Sequence, residues 1–324
     1  MLAVVCEAFG GPEVLRVREL PDPAPPSAGE VQVRLEARGV QMVDVLMLAG
    51  TYQTRPEPPF IPGGEAAGTV VAIGPGVTEF AIGDKVICRP RPGSFCTLAN
   101  CAVDGCDPIP AGFSVEEAAV FKSAYHTAYH ALLQKGRLQP GEWVLIHGAA
   151  GGIGIAAIQV AKLFGARVIA TAGTEAKRAA CLEEGADHVI DYTKGFRDEV
   201  KALTGGKGVD IVYDPIGSTV FDESMRCLNW GARLLILGFL GGGPALAKTN
   251  HLLIKGAEAI GVRLGGVQDF QPELAAANIK ALLNLAGEGK LRPRISHRFP
   301  LVEAEKALMA VINREVIGKA VLVG

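Results

Sequence analysis

Residues 147–154 read His-Gly-Ala-Ala-Gly-Gly-Ile-Gly. The small residues from Gly148 to Gly152 leave bare backbone between two apolar runs. Between a strand and a helix, such a turn lets main-chain N–H groups approach a pyrophosphate, and the helix N-terminus adds partial positive charge. Side chains at Gly151, Gly152 or Gly154 would block that approach or the packing of helix on strand. The spacing is G-x-x-G-G-x-G rather than G-x-G-x-x-G, so a tight structural turn is the competing reading.

The next apolar run bears on which dinucleotide would fit. Enzymes that prefer NAD place an Asp or Glu about 20 residues beyond the turn, where it takes the ribose hydroxyls. Here the run ends at Thr171-Ala172 without a carboxylate, and Gly173-Thr174 follow. Small residues leave room for a 2′-phosphate, and Lys177 and Arg178 lie close enough to supply a cation. NADPH is the cofactor this favours, with Gly173, Thr174 and Lys177 as contacts. Glu175 leaves NADH open, and solvated charge at a helix start is the plain alternative for Lys177 and Arg178.

These residues need elements to position them. Strand-like and helix-like runs alternate after about Phe121: Trp143–His147, Ile153–Phe164, Arg167–Ala172, Glu175–Glu184 and His188–Ile190. Val209–Tyr213, Leu234–Leu237 and Ala259–Val262 follow as further strands. Such alternation predicts a parallel sheet with right-handed crossovers. The preceding third is rich in Gly and Pro, with short alternating runs such as Val31–Ala37 and Gly68–Ile73, which predicts a β-rich, barrel-like domain. Beyond about Gly265 come two helical segments, Pro272–Ala286 and Val302–Ile312, and a strand-like tail, Lys319–Val323. The fold class is α/β. At 324 residues the chain is long enough for two domains.

Composition excludes several classes of function. Hydrophobic residues make up 49% and charged residues 20%, as in a globular enzyme. A net charge of −2 gives no electrostatic footprint for nucleic acid or an anionic membrane. Met1–Phe9 is apolar but too short to span a bilayer and lacks a basic flank, so the expected compartment is the cytoplasm. The cysteine count of 7 is odd, and Cys88, Cys96, Cys101 and Cys106 contain no C-x-x-C pair. Reduced thiols are expected rather than disulfides or structural zinc. His126 and His130 are spaced to share one helix face, but no third ligand or Glu accompanies them, and no metal site is expected.

Taken together, Gly39–Asp44 (GVQMVD), Ile61–Gly68 (IPGGEAAG), Ala124–Leu132 (AYHTAYHAL), His147–Gly154 (HGAAGGIG), Gly206–Gly217 (GKGVDIVYDPIG) and Gly318–Leu322 (GKAVL) carry a resemblance. Over nearly its whole length the chain resembles the medium-chain dehydrogenase/reductase superfamily, in the zinc-free quinone oxidoreductase branch related to zeta-crystallin. The resemblance implies a GroES-like catalytic domain, residues 1–121 and 265–324, and a Rossmann cofactor-binding domain, residues 122–264. It also implies an active-site cleft between them and a homodimer formed through the cofactor domains.

The zinc-dependent members hold catalytic zinc with a Cys and a His where this chain has Gln41 and Gly64. No catalytic zinc is therefore expected. Without a Lewis acid the resemblance implies reduction of an electron-poor acceptor, because the cofactor supplies the hydride. Residue by residue, it assigns the phosphate turn to Ala150, Gly151, Gly152 and Ile153. Thr127 lies near the nicotinamide. Gly173, Lys177 and Tyr192 hold the adenosine phosphate. Phe239 and Leu240, with Arg263 and Leu264, lie near the nicotinamide and substrate. Tyr52 matches a cleft tyrosine able to hydrogen-bond the acceptor, and Asp44 would position Gln41 or Tyr52. Relatives carry Asn where Gln41 stands, and aromatic surface where Arg263-Leu264 stands.

The reading is an NADPH-dependent, zinc-independent oxidoreductase acting on a quinone or an α,β-unsaturated carbonyl. Two alternatives stand beside it: an enoyl-thioester or acrylate-type reductase, for which Arg263 is a hint, and an NADPH-binding protein with little turnover.

Overall fold

The computed structural model describes residues 1–90 and 93–324. The chain forms two compact units. One joins Met1–Ser123 to Ala286–Gly324, and the other is continuous, Ala124–Leu285. The composition shift near Gly265 thus precedes the division between units, because α9 (Pro272–Gly287) still belongs largely to the second.

In the first unit β1 (Leu2–Cys6) and β2 (Leu15–Glu19) form an antiparallel hairpin. The larger sheet is organised around β3 (Glu30–Val40), which continues into helix α1 (Met42–Leu48). β3 pairs along most of its length with β4 (Ala66–Ile73), which pairs with β5 (Lys85–Cys88). The first half of β3 also pairs with β6 (Leu98–Ala102), and β5 pairs with the short β7 (Asp107–Pro108). Two register irregularities bend β3, so that one strand serves three neighbours. Cys88, Cys96, Cys101 and Cys106 are free thiols buried in this unit's core.

Helix α2 (Val115–Tyr129), continued by a π-helical turn at His130–Lys135, leads into the second unit. Its six strands are β8 (Trp143–Ile146), β9 (Arg167–Thr171), β10 (His188–Ile190), β11 (Val209–Asp214), β12 (Leu228–Ile236) and β13 (Glu258–Gly261). All pair in parallel, in the order β10-β9-β8-β11-β12-β13. The crossover helices are α3 (Gly152–Leu163), α4 (Glu175–Glu183), α5 (Arg197–Leu203), α6 (Ser218–Ser224) and α7 (Thr249–Lys255). A further helix, α8 (Leu264–Phe270), follows β13. The strand order reverses between β8 and β11. In sheets of this type, ligands bind outside the carboxyl ends of the strands at that reversal. α3 is apolar nearly all round and buries Ile155, Ile158 and Val160, as a helix laid on a central sheet must.

The C-terminal segment, with β14 (Ile295–Pro300), α10 (Ala304–Ile312) and β15 (Lys319–Val323), completes the first unit. β15 lies antiparallel to the second half of β3 and parallel to β14. Two buried cations fasten it. The Arg38 guanidinium donates to the carbonyls of Cys96 (3.0 and 2.8 Å), Leu35 (2.7 Å) and Gly324 (2.6 Å). Lys319 Nζ donates to Glu65 Oε1 at 2.6 Å, and both side chains are buried. Glycine at position 39 makes room for this pair, because a Cβ there would overlap the Glu65 side chain and displace it.

Lys319→Met leaves the buried Glu65 carboxylate without its counter-charge. Urea unfolding should show a loss of about 3–5 kcal/mol. Lys306→Met removes an exposed ion pair with Glu303 and should cost less than about 1 kcal/mol.

Candidate functional site

The phosphate turn lies at the carboxyl end of β8, beside the strand-order reversal. Gly148 has φ +58° and faces Pro215 and Ile216 beyond the end of β11. Gly151 caps α3, its N–H donating to Gly148 O at 3.0 Å and its carbonyl accepting from Ile155 at 2.8 Å. The first N–H groups of α3, on Gly152 and Ile153, have no acceptor within the helix. At Gly154 a Cβ would overlap the carbonyl oxygens of Gly148 and Ala149, so glycine lets the helix close on its own turn. Ala150 is buried in the same turn. This cradle of small residues and free N–H groups fits a pyrophosphate.

His147 braces the turn from below. Its Nε2 lies 2.8 Å from Ser224 Oγ and its Nδ1 2.9 Å from Thr171 Oγ1. The Ser224 hydroxyl donates to Val220 O at 2.8 Å, so Nε2 carries the proton and Nδ1 accepts from Thr171. Full burial pushes this imidazole down to about 3 and keeps it neutral. Asp214 closes the other side of the reversal. Its Oδ1 accepts from the N–H groups of Ile216 (2.7 Å) and Gly217 (2.9 Å), while Oδ2 is buried without a partner. Burial raises its carboxyl despite the two N–H groups.

At the carboxyl end of β9, Gly173 faces the Tyr192 ring, and Thr174 caps α4, its hydroxyl accepting from the Lys177 N–H. Lys177 is half-buried on the first turn of α4. Arg178 follows it on the same turn. Its guanidinium donates to Ala172 O at 3.2 Å and lies 3.4 Å from Asp191 Oδ2. Phe239 and Leu240 follow β12 and are 48% and 42% exposed. Arg263 caps α8 after β13, exposed, with Asp269 at 3.6 Å, and Leu264 opens that helix. Thr127 lies on α2, half-buried. The other second-unit candidates all follow carboxyl ends of parallel strands, where one dinucleotide can meet them.

In the first unit, Gln41 precedes α1, and its N–H donates to Asp44 Oδ2 at 2.8 Å. Ser123 Oγ donates to the Gln41 side-chain oxygen at 3.3 Å. Asp44 is 1% exposed. Burial pushes its carboxyl up to about 7, reinforced by Glu65 and opposed by Lys319 and the N–H groups of Gln41 and Gly63. Glu65 Oε2 is buried without a partner. Gly64 is exposed, with open space where a side chain would project. Tyr52 is half-buried beyond α1, its N–H donating to Leu46 O at 3.2 Å.

His126 and His130 enter a buried amide network. His130 Nδ1 meets Gln134 Oε1, Gln134 Nε2 donates to Asn278 Oδ1 at 2.6 Å, and Asn278 Nδ2 lies 3.3 Å from His126 Nε2. Among the described residues no group of three or more His, Cys, Asp or Glu is arranged to hold a metal ion.

Sequence reasoning missed the bracing role of His147, the placement of Arg178 and the carboxylates of Asp191 and Asp214. Asp191 carried a usable signal, a carboxylate directly after a strand and beside the assigned Tyr192.

The two buried groups predict opposite pH trends. Asp44 binds its proton more tightly when folded, so its stabilisation is full below its unfolded value and is lost as pH rises toward 7. His147 binds its proton less tightly when folded, so its contribution is full above its unfolded value and is lost as pH falls toward 3. In urea unfolding from pH 4 to 8, Asp44→Asn should gain stability relative to the parent as pH rises. His147→Gln should lose least, relative to the parent, at the acid end.

Comparison with known proteins agrees with this architecture. Residues 27–127 match the alcohol dehydrogenase GroES-like domain, and residues 152–278 match the zinc-binding dehydrogenase family. The latter stretch contains neither Gln41 nor Gly64. The chain is 35% identical over 325 residues to a quinone oxidoreductase-like protein 2 of Mus musculus, covering 99% of this chain and 91% of that protein. It superimposes on Escherichia coli quinone oxidoreductase complexed with NADPH at a TM-score of 0.92 and 30% identity, covering 100% of both chains. An NAD-dependent alcohol dehydrogenase matches at a TM-score of 0.90 and 33% identity, again over 100% of both. The chain is an oxidoreductase and belongs to the quinone oxidoreductase branch of the medium-chain dehydrogenase/reductase family.

Proposed function

We propose that this enzyme is an NADPH-dependent, zinc-independent reductase of quinones or α,β-unsaturated carbonyls. The observation that carries the reading is the cradle at the β8–β11 reversal, flanked at the end of β9 by cations where NAD enzymes present a carboxylate. Ala150, Gly151, Gly152 and Ile153 would hold the pyrophosphate. Gly173, Thr174, Lys177 and Tyr192 would take the 2′-phosphate end. Thr127, Phe239, Leu240, Arg263 and Leu264 would flank the nicotinamide. The structures of relatives with NADPH support this choice.

When bound, the cofactor supplies a hydride from its nicotinamide C4 to the acceptor. The chain's own residues bind, orient and exclude water. Gln41, fixed by Asp44 and Ser123, offers its amide, and Tyr52 offers a hydroxyl to the acceptor oxygen. Water suffices to protonate a reduced quinone. Gly64 has no donor atom and Gln41 no thiolate, which supports zinc independence. A homodimer through the second unit is part of the reading. The edge strand β13 is largely exposed, and Trp230, Leu253 and Ile254 add exposed apolar surface.

The test is anaerobic oxidation of NADPH and NADH against an ortho-quinone, a para-quinone, an alkyl enone and an acrylyl thioester. Quinone or enone turnover with NADPH is expected. Turnover of the thioester alone would move the assignment to an enoyl-thioester reductase and bring Arg263 into the site. Binding without turnover would favour the cofactor-binding protein. Lys177→Ala should weaken NADPH by about 1.5–3 kcal/mol, the scale of a charge-assisted hydrogen bond, with little effect on NADH in calorimetry. Equal loss for both would remove Lys177 from the phosphate site.

A further inference from the structure

We propose that Asp191 is a specificity-determining residue that acts through Arg178, holding that guanidinium at the end of β9 and so limiting the enzyme's preference for NADPH over NADH. The inference rests on the cofactor reading above.

The geometry is specific to this pair of strand ends. β9 and β10 are neighbours, with Ile190 opposite Thr171, so Asp191 emerges beside Ala172. Its Oδ1 accepts from both the N–H (3.1 Å) and the hydroxyl (2.6 Å) of Thr193. That fixes the carboxylate and leaves Oδ2 toward Arg178, at 3.4 Å. The guanidinium nitrogen that faces Asp191 also donates to the Ala172 carbonyl, at 3.2 Å. Both side chains are 24% exposed, so the pair is less screened than one on the open surface. Directly after Asp191, Tyr192 lays its ring against Gly173.

This places a cation and a carboxylate together where the 2′ substituent of the ribose is recognised in such folds. A 2′-hydroxyl can donate to Asp191 without disturbing the pair. A 2′-phosphate must instead draw Arg178 away from Asp191, giving up that pairing. Asp191 thus tolerates NADH and weakens NADPH. The carboxylate that the end of β9 lacks is supplied from the end of β10, already paired with a cation.

The experiment is calorimetric titration of NADPH and NADH into the full chain as parent, Asp191→Asn, Arg178→Gln and the double variant, with thermal unfolding of each. Asp191→Asn keeps an acceptor for Thr193 and should shift the ratio of dissociation constants toward NADPH by about two- to fivefold, the size of one partly screened charge interaction. Arg178→Gln should shift it the other way. In the Arg178→Gln background, the effect of Asp191→Asn should shrink, because the residue through which it acts is gone. An unchanged ratio in Asp191→Asn overturns the inference while leaving the cofactor reading intact. A full-sized shift in the double variant also overturns it, since Asp191 would then act on the phosphate directly. Failure of the parent to bind either nucleotide overturns both. Equal changes for both nucleotides, accompanied by a lower unfolding temperature, would reduce Asp191 to a structural role.

Discussion

The close approach of α3 to the end of β8 is the constraint on which the cofactor half of the molecule depends. It exists because position 154 carries no Cβ and the helix backbone can lie against the carbonyls of Gly148 and Ala149. The same closure aims the first N–H groups of α3 out of the turn. His147 then ties the turn to β9 through Thr171 and to α6 through Ser224. Buried polar networks of this kind rigidify when fully satisfied. The cradle is thus a packing result before it is a binding site.

The first unit solves a different problem. Asp44, Glu65 and Lys319 are buried together near two positions, 41 and 64, that carry no strong metal ligand. One cation faces two carboxyl groups. Lys319 pairs with Glu65, and burial leaves Asp44 holding its proton near neutral pH. A protonated or ionised Asp44 can accept equally from the Gln41 N–H, so the start of α1 stays fixed while the local charge is adjusted. Charge balance there comes from protonation and from the returning C-terminal strand.

The sequence made the repeating strands and helices of the second unit legible because their periodicity is clean. α3 was expected at Ile153–Phe164 and spans Gly152–Leu163, and the tail Lys319–Val323 is a strand as read. The short helices α5 to α8 left little signal, since seven residues give two turns and no stable amphipathic pattern. The glycine turn was legible as a candidate phosphate cradle through its small residues and its place between a strand and a helix. Arg178 and Asp191 did not announce their pairing, because they belong to different strands and meet only once the β9–β10 register is fixed. The buried state of Asp44 was hidden for the same reason: its neighbours Glu65 and Lys319 are distant in the chain and arrive on β4's approach and on β15.

The pairing of β15 with β3 has a consequence for how the chain comes to be folded. The continuous second unit holds all six of its strands within one stretch of sequence and can assemble as soon as that stretch is available. The first unit cannot. From the time β3 is made until residues 319–323 follow, its second half has an unclaimed edge on the side that β15 will occupy, and Arg38 and Glu65 lack their final partners. Long-range pairings of this sort are slow to form, and open strand edges invite association during the wait. Of the two units, the one begun first along the chain is therefore the one completed last, and its strand edge stays open in the interval.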